Sequence, residues 1–390
     1  TGQPGNVLVI LARGRDMDSI LSDTEVHFCA YEHKMCILAK IPSMSLMGSV
    51  QMQDRSCPMR AIGFHKPHPI TSREALVDLD LPMPEAQGHD LLVEIKAVSV
   101  NPVDTKVRAG TFTREPKILG WDAAGIVREV GAQVTLFKPG DQVYYAGSIA
   151  RPGSYSEYHL VDERIVGHQP RSLGAAQAAA LPLTAITAWE LLFDRLGIVE
   201  GGGEGDALLI VGAAGGVGSM LVQLARQLTR LTVIGTASRA ETSNWVRELG
   251  AHHVIDHSQP LLAQLQALGI DEVSHVASLT HTDQHFAQLV EVLRPQGRLG
   301  VIDDPQTLDV MPLKRKSLSL HWELMFTRSL FETADMIEQH RLLNRVAELV
   351  DAGTLRTTLG EHFGTINAAN LRRAHALLES GTAKGKIVLE

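Results

Sequence analysis

The segment that most constrains this chain is Asp206–Leu228, DALLIVGAAGGVGSMLVQLARQL. An unbroken apolar run leads into a glycine-rich turn, and apolar residues at helical spacing follow. That order reads as buried strand, tight turn, helix. Glycines let the backbone turn sharply and come close to a ligand, which then meets the free N–H groups of a helix N-terminus. A pyrophosphate suits such a place. A glycine pattern alone says little, but one flanked by a strand and a helix points to a dinucleotide.

The neighbouring sequence extends this unit. LTVIGTA, VSHVASL and GRLGVID are further buried strands separated by helical stretches, as in a doubly wound parallel sheet. Upstream, from Met59 to Leu181, the pattern is different. LLVEIKAVSV, AAGIVREVG and GDQVYYAG alternate as half-buried strands do, broken by Gly and Pro, which indicates an all-β domain. After Leu320 a long helical segment, ADMIEQHRLLNRVAELVDAG, precedes a last strand, GKIVLE. The expected organisation is a β-rich domain over 59–182, a nucleotide-binding domain over 183–320 and a C-terminal return to the first domain over 321–390. Residues 1–58 lack sustained periodicity and read as upstream translation or a loosely attached extension. His27, Cys29, His33 and Cys36 within them have spacings able to clasp a metal, against the plainer reading of a chance cluster.

Composition removes several function classes. A 390-residue chain is long enough for about two domains. Its net charge of −8 argues against a nucleic-acid surface. No apolar run approaches the ~18 residues of a membrane span, and the opening TGQPGNVLVILARGRD is a poor secretory signal, so the expected location is the cytoplasm. All three cysteines precede Met59, which leaves the main body without a cysteine-ligated zinc site or a disulfide framework.

The cofactor follows from the second strand of the nucleotide domain. An NAD site usually has an acid about 20 residues beyond the glycine turn, holding the ribose hydroxyls. Here the strand ends GTASRAE, with Ser238 and Arg239 in that place. A carboxylate repels a 2′-phosphate, whereas a guanidinium and a hydroxyl bind it. NADPH is the expected cofactor.

VNPVDTKVRAG, GWDAAGIVREVG, FKPGDQVY, GSYSEY and GAAGGVGSMLVQLA, in this order and spacing, resemble the medium-chain dehydrogenases/reductases of the quinone oxidoreductase (zeta-crystallin) type. The tail HWELMFTRSLFETADMIEQHRLLNRVAELVDAG is similar to the subgroup called zinc-type alcohol dehydrogenase-like proteins. The resemblance covers Met59 to Glu390. It implies a GroES-like β-rich catalytic domain, a Rossmann doubly wound sheet and a homodimer. It also implies site residues. Asn101 would approach the nicotinamide or the substrate carbonyl, and Thr187 would contact the nicotinamide side. Gly215, Gly216 and Val217 would offer backbone donors to the pyrophosphate. Ser238, Arg239 and His257 match 2′-phosphate positions, while Thr280 and Ile302 match contacts to the nicotinamide ribose and amide. Asp104 is expected to hold its turn.

The same resemblance contradicts the metal in the subgroup's label. Zinc enzymes of this superfamily take ligands from a Cys where Asn101 stands and from the His of Gly-His-Glu where Trp121 stands. Indole cannot coordinate zinc, and an Asn alone cannot build the three-ligand open site of a catalytic zinc. Asp122 and His159 remain as ligands without matching partners. The expectation is therefore hydride transfer without a metal, to a quinone or α,β-unsaturated carbonyl that spreads the incoming charge itself. Asn101, Tyr144 and Trp121 are the expected catalytic-site residues, with Tyr145 and Tyr155 as further candidates for the substrate wall. A zinc-dependent alcohol dehydrogenase and a non-enzymatic NADPH-binding protein, crystallin-like or RNA-binding, are the competing readings.

Overall fold

The computed structural model describes residues 58–110 and 115–390 and, in backbone alone, strands β1 (Val26–Tyr31) and β2 (Lys34–Ala39). The chain divides into two compact units, Thr1–Asp54 and Arg55–Glu390. In the first, β1 and β2 pair antiparallel. His33 and the side chains of His27, Cys29 and Cys36 lie outside the described residues.

The second unit begins with the β-rich part. Its strands are β3 (Met59–Phe64), β4 (Val77–Leu81), β5 (Asp90–Val100), β6 (Lys117–Ile118), β7 (Ala123–Val130), β8 (Gln142–Tyr145), β9 (Tyr158–Asp162) and β10 (Val166–His168), with helix α1 (Pro102–Gly110) after β5. β5 is the hub. It pairs antiparallel with β7 and β9 and buries most of its side chains, as a strand covered on both faces must.

A helical stretch, Ala175–Arg195, then crosses to the second part as α2 (Ala175–Ala179), α3 (Pro182–Trp189) and a π-helical segment, Glu190–Arg195. At 21 residues it is long and apolar enough to span a membrane, contrary to the expectation that no such run exists, but 78% of its most apolar window is buried inside the protein. It is a core helix.

The second part alternates strand and helix as far as its fifth strand: β11 (Ala207–Val211), α4 (Gly216–Leu228), β12 (Thr232–Thr236), α5 (Ala240–Glu248), β13 (His253–Ile255), α6 (Leu261–Ala267), β14 (Val273–Ser278), α7 (Thr282–Val292) and β15 (Leu293–Val301), after which a 3-10 turn, Met311–Lys316, leads to β16 (Ser319–Trp322). The six strands pair in parallel in the order β13-β12-β11-β14-β15-β16. That order reverses between β11 and β14, the crevice where a doubly wound sheet binds its ligand.

Beyond the sheet come α8 (Thr327–Leu330), α9 (Glu338–Asp351), β17 (Leu359–His362), α10 (Ala368–Glu379) and β18 (Lys386–Leu389). β17 and β18 return to the first sheet, whose order is β10-β8-β7-β5-β18-β17. β18 runs antiparallel to β5 with Ile387 opposite Val100. This register carries Lys386, the residue before Ile387, to the end of β5 where Asn101 sits.

Candidate functional site

One edge of the parallel sheet gathers the residues expected to hold the nucleotide. Because β11 to β15 run in the same direction, the loops after them share an edge. Gly212 leaves β11 at φ 81°, and a Cβ there would lie 2.9 Å from Thr280 Cγ2 on the loop after β14. A Cβ on Gly218 would lie 2.4 Å from the Gly212 carbonyl oxygen. Both positions need glycine. The Gly215 N–H donates to Gly212 O at 3.1 Å and so closes the turn. Gly216, Val217 and Gly218, at the start of α4, present N–H groups with no acceptor among the described residues, as the first turn of a helix does. Ser238 and Arg239 follow β12 and are exposed. Ile302 continues β15, its N–H donating to Ser278 O. His257 follows β13, its ring 5.9 Å from that of His285, and each Nδ1 is buried without a partner.

The other half of the site is a buried polar knot in the β-rich part. Asn101 Nδ2 donates to Asp122 Oδ2 at 2.9 Å and to Ser99 O at 3.4 Å. Its Oδ1 accepts from Lys386 Nζ. The Lys386 ammonium also donates to Val100 O at 2.9 Å and lies 3.0 Å from Asp122 Oδ2. Asp122 Oδ1 accepts the Leu183 N–H at 2.8 Å, which ties the start of α3 to the knot. Burial raises the Asp122 carboxyl above its usual range, against the lowering pull of Lys386. Asp104 holds the turn as expected, accepting the Asn101 N–H at 2.6 Å and the Tyr155 hydroxyl at 3.1 Å. Burial pushes its carboxyl up to about 7.

The two halves meet at Gly216. A Cβ there would lie 3.0 Å from Lys386 Cδ and 3.0 Å from Thr184 Cγ2. Lys386 thus reaches from the helix that opens the nucleotide site to Asn101 and Asp122. Sequence reasoning missed it, and missed Thr184. The available signal was a lysine opening the otherwise apolar strand of GKIVLE.

The donor set does not fit zinc. Asn101 is bonded at both ends of its amide, and Asp122 already faces a cation, Lys386. The Trp121 indole donates to Ser148 O at 3.2 Å. Both ring nitrogens of His159 are committed, Nδ1 to the Tyr145 hydroxyl at 3.0 Å and Nε2 to Pro152 O at 2.9 Å, and burial lowers its pKa to about 4. No group of three or more potential metal ligands occurs among the described residues.

Two of the expected catalytic residues are deeply buried. Tyr144 is fully buried, and its hydroxyl donates to Leu343 O of α9 at 2.6 Å, away from the knot. Trp121 is 1% exposed and meets Phe326 edge-on at 6.1 Å between ring centres. Thr187 is buried on α3 and donates back to Leu183 O at 2.8 Å. A separate apolar cavity of about 630 Å³, walled by Met59, Pro82, Met83, Ile149, Pro152 and Leu160, has neither Asn101, Lys386 nor the glycine turn in its lining.

Known proteins match both halves. The alcohol dehydrogenase GroES-like domain family covers residues 87–171, and the zinc-binding dehydrogenase family covers residues 249–389. A zinc-type alcohol dehydrogenase-like protein of Staphylococcus aureus (strain MSSA476) is 38% identical over 334 residues, 85% of this chain and 99% of that protein. The human mitochondrial NAD(P)H oxidoreductase RTN4IP1 is 31% identical over 77% of this chain and 81% of its own length. A Rhizobium etli CFN 42 crystal structure, described as a zinc-dependent alcohol dehydrogenase protein, superposes with a TM-score of 0.83 at 60% identity, covering 85% of this chain and 98% of that one. Escherichia coli quinone oxidoreductase complexed with NADPH gives 0.72 at 25% identity, covering 85% and 99%. Matching both family models and 81% to 99% of the length of these relatives, this chain belongs to the medium-chain dehydrogenase/reductase superfamily, as a quinone-oxidoreductase-like oxidoreductase of the zinc-type alcohol dehydrogenase-like group.

Proposed function

We propose that this oxidoreductase reduces a quinone or an α,β-unsaturated carbonyl with NADPH and without a metal. The observation that carries this reading is the Lys386 ammonium, which sits on Asn101, at one of the family's zinc-ligand positions, and on Asp122, a remaining candidate ligand. Zinc matters to an alcohol dehydrogenase because it polarises the carbonyl or acidifies the alcohol. Without that aid, the favoured acceptor is one whose own conjugation spreads the incoming charge.

The bound nicotinamide would supply the hydride. The free N–H groups of Gly216, Val217 and Gly218 face the place a pyrophosphate takes at a helix N-terminus. Arg239 and Ser238 provide the charge and hydroxyl that favour a 2′-phosphate. Asn101, locked by Asp122, Asp104 and Lys386, acts as a fixed wall between the two halves of the site. Its amide hydrogens are both bonded within the knot, and a carboxamide is no acid, so we take the product's proton to come from solvent. We further infer that two copies pair through β16. That strand is the edge of the parallel sheet and leaves Trp322 and the adjacent Leu324 each 53% exposed.

A substrate panel tests the reading, with NADPH oxidation as the signal. Quinones and enones should be reduced, and simple aldehydes should be poor substrates. Alcohol oxidation or aldehyde reduction as the dominant activity would favour the alcohol dehydrogenase alternative. Cofactor binding without turnover of any substrate would favour the non-enzymatic one.

A further inference from the structure

The segment between α10 and β18 crosses the nucleotide edge of the sheet and is held there at several points. The Gly385 N–H donates to Ala214 O, inside the glycine turn, at 3.3 Å. Arg239 Nη2 donates to Thr382 O at 3.2 Å. Between these ties lies Lys384, whose ammonium is 2.8 Å from Glu241 Oε1 on the first turn of α5. The same ammonium lies 5.5 Å from the centre of the Trp245 ring. Trp245 is fixed in turn, its indole N–H donating at 2.8 Å to Ser219 Oγ in the first turn of α4. Lys384 is therefore anchored beside both Arg239 and the glycine turn, although it is 145 positions from Arg239 in sequence (384 − 239).

Glu241 makes this arrangement informative. It stands two positions after Arg239, where its carboxylate would repel a 2′-phosphate. Lys384, and after it Arg239, hold that carboxyl below its usual range. We propose that Lys384 is a second cation for the 2′-phosphate of the cofactor, exchanging Glu241 for the phosphate when the cofactor binds. The Glu241 side chain is 66% exposed and that of Lys384 33%. A pair this open to water is weak and screened, so a doubly charged phosphate can displace the carboxylate. The inference rests on the NADPH reading, and it extends that reading to a residue outside the nucleotide-binding sequence motif.

The test is calorimetric binding of 2′,5′-ADP and of 5′-ADP, which differ in the 2′-phosphate alone. In the wild type, 2′,5′-ADP should bind more tightly. Lys384→Gln should weaken 2′,5′-ADP by about tenfold, the scale of one charge-assisted contact, and leave 5′-ADP within about twofold. Lys384→Arg should retain most of the affinity, and Glu241→Gln should tighten 2′,5′-ADP. Arg239→Ala serves as the comparison and should weaken 2′,5′-ADP at least as much. If the wild type prefers 2′,5′-ADP but Lys384→Gln weakens both ligands alike, or neither, the role of Lys384 is overturned while the NADPH reading stands. A wild type that binds both ligands equally overturns the NADPH reading and this inference with it.

Discussion

Replacing Lys386 by methionine keeps the reach of the side chain and removes its charge. Asp122 would then be buried without its cation, and breaking a buried pair in this way costs about 3 to 5 kcal/mol. The sign of the pH dependence follows from the direction of the Asp122 shift, which is upward even with Lys386 present. Without Lys386 its folded pKa rises further, so the penalty is largest in alkaline solution and shrinks as falling pH protonates the carboxyl. Urea unfolding of Lys386→Met at pH 8 and at pH 5.5 should show this contrast. Adding Asp122→Asn should recover much of the loss at pH 8. A variant as stable as the wild type at both pH values would mean that Lys386 does not compensate Asp122. That Asn101 and Trp121 stand where the zinc enzymes have Cys and His was legible, because residue identity alone gives it. Lys386 was not legible, because it lies 285 residues from Asn101 and only the β18–β5 register brings them together.

At the scale of elements, the π-helical segment and the end of β16 share a buried acid pair. Glu190 is bonded to Arg328 at 2.6 Å, and Glu323 to Arg195 at 2.8 Å. Asp194 and Asp335 also contact Arg328. Burial, and then the neighbouring Glu190 carboxylate, push Glu323 up to about 9. From the ordinary carboxyl range up to that value, the folded protein keeps a proton that the unfolded chain has lost. Stability should therefore fall as pH rises, by at most about 1.4 kcal/mol per pH unit from this group. Melting temperatures from pH 7 to 9 should decline in the wild type and decline less in Glu323→Gln, whose side chain stays neutral. Parallel decline in both would place the titration elsewhere. The elements themselves were largely readable from local pattern: the glycine turn with its flanking strand and helix, the buried strands after it, and the alternation of β5. Which face of a strand meets the cleft was not readable. β8 is covered on both sides, so Tyr144 and Tyr145 are both buried and alternation cannot separate wall from core. The buried stretch Ala175–Arg195 was hard to read because Pro182 and its polar residues interrupt the apolar pattern that the fold nevertheless encloses.

At the scale of the whole molecule, pairing through β16 would join the two sheets edge to edge, β16 against β16 antiparallel across a two-fold axis, and cover Trp322 and Leu324. Trp322→Lys places a charge at that edge and should shift the protein from dimer to monomer in sedimentation at micromolar concentration. An unchanged dimer would move the interface to another face, and a monomeric wild type would remove the proposal. The central claim is that this oxidoreductase moves hydride with Lys386 on Asp122 in place of a metal. Its most direct test combines two readings on one preparation: elemental analysis for zinc, and NADPH-dependent quinone reduction before and after exhaustive chelation. The expected result is substoichiometric zinc and an unchanged rate. One tightly bound zinc per chain, with activity lost on its removal and restored by its return, would contradict the account.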